Sequence, residues 1–154
     1  MRVSEIMTKA AVIDQSDDTL AEAARKMWAQ QTGSLLVMDG EDLVGIVTER
    51  DVLKAVAAGS RLEETRVSEV MTKDLVMVGP GTSLREAAKI MADRWIRHLP
   101  VLDGGKLVGV LSQRDLAGVL AGALNEPEAF HQLVEGSELA REHRLKRIEH
   151  GVWD

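Results

Sequence analysis

The chain contains no cysteine. That excludes a disulfide framework, a thiolate metal site and a cysteine nucleophile, and it leaves the redox compartment undetermined. Tyrosine is absent too and aromatics reach only 3%, so a core has to be built from Val, Leu, Ile, Ala and the seven Met. No apolar run approaches the roughly 18 residues that span a bilayer. The start MRVSEIMTKAAV also lacks the apolar centre of a secretion signal. The expectation is a cytoplasmic protein with no membrane partner. Excess cationic charge is missing as well: the net charge of −6 opposes broad nucleic-acid binding, which depends on Lys and Arg neutralising phosphates. It leaves room for a small basic pocket that holds one phosphorylated ligand.

Catalytic signatures are equally scarce. There is no nucleophile–base pair, no Gly-x-Ser-x-Gly and no phosphate-cradling Gly-x-x-x-x-Gly-Lys-(Ser/Thr) loop. The acid pairs in SDD (16–18) and LEE (62–64) fall in turn or linker positions and read as solvated surface. The expectation is a protein that is not an enzyme and requires no cofactor.

What the chain does have is itself, twice. VSEIMTK (3–9) returns as VSEVMTK (67–73), and a shift of 64 pairs residues 3–51 with 67–115 without a gap, 21 of the 49 pairs being identical. A repeat of this density dictates the architecture before any single element is assigned. Each copy carries a short β-prone run, AAVI or LVMV, ahead of Thr19 or Ser83. Those two residues open helices through capping boxes, with Glu22 and Glu86 three positions on. Leu20, Ala23, Ala24 and Met27, and likewise Leu84, Ala87, Ala88 and Met91, then recur at helical spacing. Two apolar runs follow around an acidic–Gly turn, Asp39-Gly40 or Asp103-Gly104, which reads as a hairpin. A second helix starts at ERD or QRD, the first of these ending near Gly59.

The unit is therefore β-α-β-β-α, twice, in an α/β (α+β) fold. About 60 residues bury too little surface to stand alone, so the copies are expected to pack sheet to sheet about a pseudo-twofold axis. The expected organisation is a first repeat over 1–60, a connector over 61–66, a second repeat over 67–123 and a C-terminal helical extension over 124–154. In the extension, 126–135 and 137–149 read as helical, with Phe130, Leu133, Val134, Leu139 and Ile148 available for docking. His143 and His150 lack a third ligand at metal spacing, so no metal site is expected.

GIVTERD and GVLSQRD each place a hydroxyl three residues before a carboxylate at a strand-to-helix junction. Thr48 or Ser112 can offer its hydroxyl beside free backbone N–H groups at the positive helix end, an anion site. Asp51 or Asp115, one turn on, is spaced to accept two protons from a ribose diol. The same pattern is also an ordinary helix cap worth about 1 kcal/mol. In WIRHLPV (95–101), Arg97 is a permanent cation able to grip phosphate, and His98 adds an imidazole. The corresponding residues of the first copy, Gly33 and Ser34, permit close approach but bring no charge. The two sites should be unequal.

The segments VSEIMTK, GSLLVMD and LVGIVTERD, and again VSEVMTK, RHLPVLD and LVGVLSQRD, resemble a tandem pair of cystathionine β-synthase (CBS) domains, a Bateman module. The resemblance covers about residues 1–123. It implies a regulatory module that holds an adenine nucleotide of the AMP, ADP or ATP type in clefts between repeats and signals in trans to an unidentified protein. It also implies pairing of two modules into a homodimer. By resemblance the phosphate–ribose contacts fall to Thr48, Asp51, Ser112 and Asp115, with Arg50 and Arg114 of the same motifs, Gly33, Ser34, Arg97 and His98. Thr8, Lys9 and Ala11, and likewise Thr72, Lys73 and Leu75, would line the adenine end. Competing expectations are a dimerisation module with vestigial sites, a binder of S-adenosylmethionine or of nucleic acid, and an enzyme.

Overall fold

Val3 and Val67 open the two copies of the heptapeptide and are both fully buried, each in the core of the other copy. This exchange organises the molecule. The computed structural model describes residues 1–9 and 13–123, together with 141, 142, 145 and 146. Ala11 and the expected helices over 126–135 and 137–149, apart from those four positions, lie outside the described residues.

The elements run α1 (Val3–Ile6), β1 (Ile13–Gln15), α2 (Leu20–Gln30), β2 (Ser34–Asp39), β3 (Asp42–Thr48), α3 (Glu49–Ala57), α4 (Val67–Val70), α5 (Leu84–Arg94), β4 (His98–Asp103), β5 (Lys106–Ser112) and α6 (Gln113–Ala123). The capping residues act as expected. The Thr19 hydroxyl accepts from the Glu22 amide at 3.2 Å while the Glu22 carboxylate accepts from the Thr19 amide at 2.8 Å. The Ser83 hydroxyl caps α5 by accepting from the Glu86 amide at 3.2 Å, but the reciprocal half of the expected box does not form. Both hairpins form at the acidic–Gly turns. In the second, Gly104 and Gly105 stand at φ 54° and 81°, angles that a β-carbon would make costly at both central positions. Gly59, φ 74°, turns the chain just past the end of α3, with the Ser60 amide donating back to the Ala55 carbonyl.

The two sheets differ. β1 runs parallel to β2, which pairs antiparallel with β3, whereas the second copy has only the antiparallel pair β4–β5. The strand expected at LVMV (75–78) shrinks to a single bridge, Val78 to Val101. Its two hydrogen bonds run from the Val78 amide to the Pro100 carbonyl and from the Leu102 amide to the Val78 carbonyl. Extending the ladder one step either way requires an amide proton at position 100 or at position 80. Both are proline, so the ladder stops. The first copy has Leu36 and Ser16 there, and its ladder extends over three residues, Ile13 to Gln15. That strand sits slightly beyond the expected AAVI, of which 10–12 lie outside the described residues.

Two cores result, one around Leu20, Ala23, Met27, Leu35, Val37 and Val47, the other around Ala87, Met91, Leu99, Val101 and Leu111. The exchanged arms join them. The Val3 amide donates to the Thr82 carbonyl and the Val67 amide to the Asp18 carbonyl. Farther along, Thr8 pairs with Val110 and Thr72 with Ile46 through reciprocal backbone bonds of 2.9 and 3.0 Å. A glycine under each arm makes room. A β-carbon at Gly45 would lie 2.5 Å from the Met71 Sδ and 3.1 Å from the Thr72 carbonyl oxygen. One at Gly109 would lie 2.8 Å from the Thr8 carbonyl oxygen. The glycine of LVGIV is thus the docking notch for the other copy's heptapeptide.

Candidate ligand site

Because each arm crosses to the opposite sheet, the candidate residues sort into two groups. Thr72, Lys73 and Leu75 follow the strand position beside Ile46, two residues before Thr48, and Ser34 lies opposite Thr48 across the hairpin. Thr8 and Lys9 lie beside Val110, two residues before Ser112, and His98 faces Ser112. Thr8, Lys9, Thr72 and Lys73 are exposed, Leu75 is half-buried and Ser34 is buried.

At both helix starts the carboxylate folds back onto its own cap. Asp51 Oδ2 accepts from the Thr48 amide at 2.8 Å and from its hydroxyl at 3.1 Å. Asp115 Oδ2 accepts from the Ser112 amide and hydroxyl, both at 2.7 Å. The capping role is therefore real. In each pair a single oxygen performs it, and Oδ1 of both carboxylates accepts nothing from the described residues. The arrangement can do two jobs at once: Oδ2 holds the helix start while Oδ1 stays available to a hydroxyl donor.

The basic side is more constrained than the sequence indicates. Arg97 points its Nη2 at Glu49 Oε1, 2.9 Å away, an ion pair between the second copy and the first. Glu49 opens α3, its amide donating to the Gly33 carbonyl at 3.0 Å. Its carboxylate covers Gly33, where an added β-carbon would meet it at 3.2–3.3 Å. His98 is half-buried. Burial, reinforced by the Arg97 cation, holds its imidazole below the ordinary 6.5, so near neutrality it is uncharged and can donate or accept. Arg50 and Arg114 are exposed on the first turns of their helices. Arg114 reaches the first copy, lining a cleft of about 370 Å³ with Gly33, Glu49, Val52, Met27 and Trp28. Of the expected site residues only Gly33 and Arg114 line it; the cleft lies beside the Thr48–Asp51 pair. A smaller cleft of about 230 Å³ includes Asp51 and Lys54.

Three features escaped the sequence. Glu49 is the ion partner of Arg97, and its signal was the one charge difference between the two motifs, Glu49 against Gln113. Trp28 stands 80% exposed at the cleft rim. Asp14 is fully buried where the second copy has Val78. Its Oδ1 accepts from Lys26 Nζ at 2.6 Å while Oδ2 has no partner. Nor is SDD (16–18) wholly solvated surface: Asp18 is only partly exposed and lies 3.5 Å from the same ammonium. The turn immediately precedes α2, and Asp14 and Asp18 both reach the Lys26 ammonium of that helix. Among the described residues no cluster of His and acids could hold a metal, and no helix is long and apolar enough to cross a membrane.

Two helix starts, each flanked by an arm from the other copy, define a module of two paired repeats. The CBS-domain family model matches residues 3–58 and again 67–122, and the chain belongs to the CBS-domain family with two copies of the domain. The CBS domain-containing protein YhcV of Bacillus subtilis is 36% identical over 115 residues, 75% of this chain and 82% of that one. The crystal structure of the CBS domain NE2398 superposes with a TM-score of 0.74 at 35% identity, covering 77% of this chain and 95% of that one. The CBS domain pair of protein MJ0100, solved with 5′-methylthioadenosine and S-adenosyl-L-methionine, is 25% identical at TM-score 0.74, covering 80% and 98%.

Proposed function

We propose that this protein is a regulatory module that binds an adenosine-containing small molecule between its two CBS repeats and passes the occupancy to a partner protein. The observation that carries this reading is the doubled cap carboxylate. Asp51 and Asp115 each cap a helix with one oxygen and keep the other for a ribose hydroxyl. The exchanged backbone of Thr72 or Thr8 runs alongside on the adenine side. Arg50 in one half-site, and Arg97, His98 and Arg114 in the other, supply donors for the 5′ end, and an adenine nucleotide is the first candidate. A ligand that touches both copies favours whichever arm packing suits it, so binding energy becomes conformational bias.

The reading includes a homodimer and assigns the chain no chemistry of its own. Trp28 on α2, Leu53 and Val56 on α3 and Leu120 on α6 are 80%, 68%, 55% and 43% exposed, more large apolar surface on helices than solvent contact favours. A second reading, an adenosyl ligand with a neutral or cationic 5′ substituent, is favoured by the ion pair that occupies Arg97. Calorimetry with AMP, ATP and S-adenosylmethionine on ligand-free protein tests both readings. Saturable heat with at least one of them is expected, and its absence with all three refutes the adenosine assignment.

A further inference from the structure

Resting on the adenosine reading above, we propose that Glu49 is the specificity-determining residue of its site: a built-in counter-anion that filters adenosyl ligands by the charge of their 5′ substituent. Its position is fixed from two directions. The backbone amide is tied to the Gly33 carbonyl at 3.0 Å. The carboxylate rests over the bare Cα of Gly33, where the second copy carries a full side chain, Arg97. Glycine at 33 is what leaves the carboxylate its place.

From there it neutralises Arg97. Glu49 Oε1 lies 2.9 Å from Arg97 Nη2, with the two side chains 59% and 54% exposed. A pair so exposed is weakly held, so a ligand can separate it easily; this is a filter and not a lock. Once Arg97 turns to a phosphate, however, the Glu49 carboxylate stays in the cleft facing the same anion. The remaining groups around this point are His98, uncharged near neutrality, Asp115 and Arg114. Charges of both signs thus converge on the 5′ end, with no cationic excess to hold a triphosphate. A thioether loses nothing to Glu49, and a sulfonium or ammonium gains. The pseudo-equivalent position carries the neutral Gln113, so the filter belongs to one half-site only and makes the two unequal in preference.

The test is Glu49→Gln, which copies the second repeat. Calorimetry at low ionic strength would compare the variant with the parent for ATP, AMP, 5′-methylthioadenosine and S-adenosylmethionine. Removing one negative charge within a few ångströms of the ligand predicts roughly 5- to 10-fold tighter ATP, about 2- to 3-fold tighter AMP, methylthioadenosine unchanged and S-adenosylmethionine about 2- to 5-fold weaker. The gain for ATP should disappear when Arg97→Gln is added. A change equal for all four ligands, or none, overturns the filter while leaving the adenosine reading intact. No binding of any ligand by either protein overturns both.

Discussion

Replacing Asp14 by Val puts the second copy's solution into the first, since Val78 holds the equivalent position at 7% exposure. Asp14 is fully buried, with one carboxylate oxygen bonded to Lys26 and the other unpartnered. A buried polar atom left unsatisfied costs about 1–3 kcal/mol, and Lys26, partly exposed and 3.5 Å from Asp18, keeps an acidic partner when Asp14 is removed. Proton linkage gives a second handle. Burial, with a contribution from Asp18, raises the Asp14 pKa from 3.8 to about 6 against the opposing pull of Lys26. A group whose folded pKa is raised contributes stability that is fully present below its unfolded value and lost as pH rises through the folded one. The window here is pH 4 to 6.5, and the full shift corresponds to about 3 kcal/mol. Asp18 works against it: the neighbouring Asp14 carboxyl, which when protonated can donate to it, lowers its pKa, so its contribution is present at high pH and lost on acidification. The net expectation is that Asp14→Val is about 1–3 kcal/mol more stable than the parent at pH 7.5, and that the advantage shrinks towards pH 4.5. Urea unfolding at pH 4.5, 6.0 and 7.5 measures it. A variant less stable at every pH would instead make the Asp14–Lys26 pair a net stabiliser.

Other expectations concern the arms, a cap and the surface. Gly109→Ala presses a methyl group towards the Thr8 carbonyl oxygen, 2.8 Å from the new carbon, and should destabilise by about 1–3 kcal/mol through overpacking; unfolding curves decide. Gln31 closes α2 in the left-handed region, φ 53°. Gln31→Gly should therefore raise stability by about 0.5–1 kcal/mol in the same assay, relief of backbone strain outweighing lost chain entropy. Leu53→Glu with Val56→Glu places charge on the exposed face of α3; light scattering should report a dimer for the parent and a monomer for the variant.

The period of 64 made most of the fold legible in the sequence, because each element was read twice and turn residues such as Asp39-Gly40 and Asp103-Gly104 agreed. Capping boxes marked the helix starts for a local reason, the unsatisfied amides of the first turn. The exchange of arms was not legible. Val3 and Val67 look alike, and nothing local says that each packs across the pseudo-twofold axis. Only the glycine inside each strand, Gly45 and Gly109, marked the close approach. The lost strand at 75–78 was readable in principle from Pro80 and Pro100, once the ladder partners were known. For the candidate site, the two Ser/Thr–Asp pairs were apparent as motifs, and their half-committed carboxylates emerged only with the hydrogen bonds. The ion pair of Arg97 with Glu49 joins residues 48 positions apart, beyond the reach of any local pattern.

In the proposed function the cap carboxylates serve a ligand with the oxygen their helices leave over. Asn separates the two roles. Its carbonyl oxygen can still accept from the Thr48 or Ser112 amide, but its NH₂ cannot accept from a ribose hydroxyl. Asp51→Asn combined with Asp115→Asn, titrated with adenine nucleotide and S-adenosylmethionine by calorimetry, is the most direct measurement. Loss of charge-assisted hydrogen bonds predicts affinity at least ~10-fold weaker with unfolding stability within about 1 kcal/mol of the parent. Unchanged affinity alongside lowered stability would leave both carboxylates as caps alone, with no part in binding a ligand.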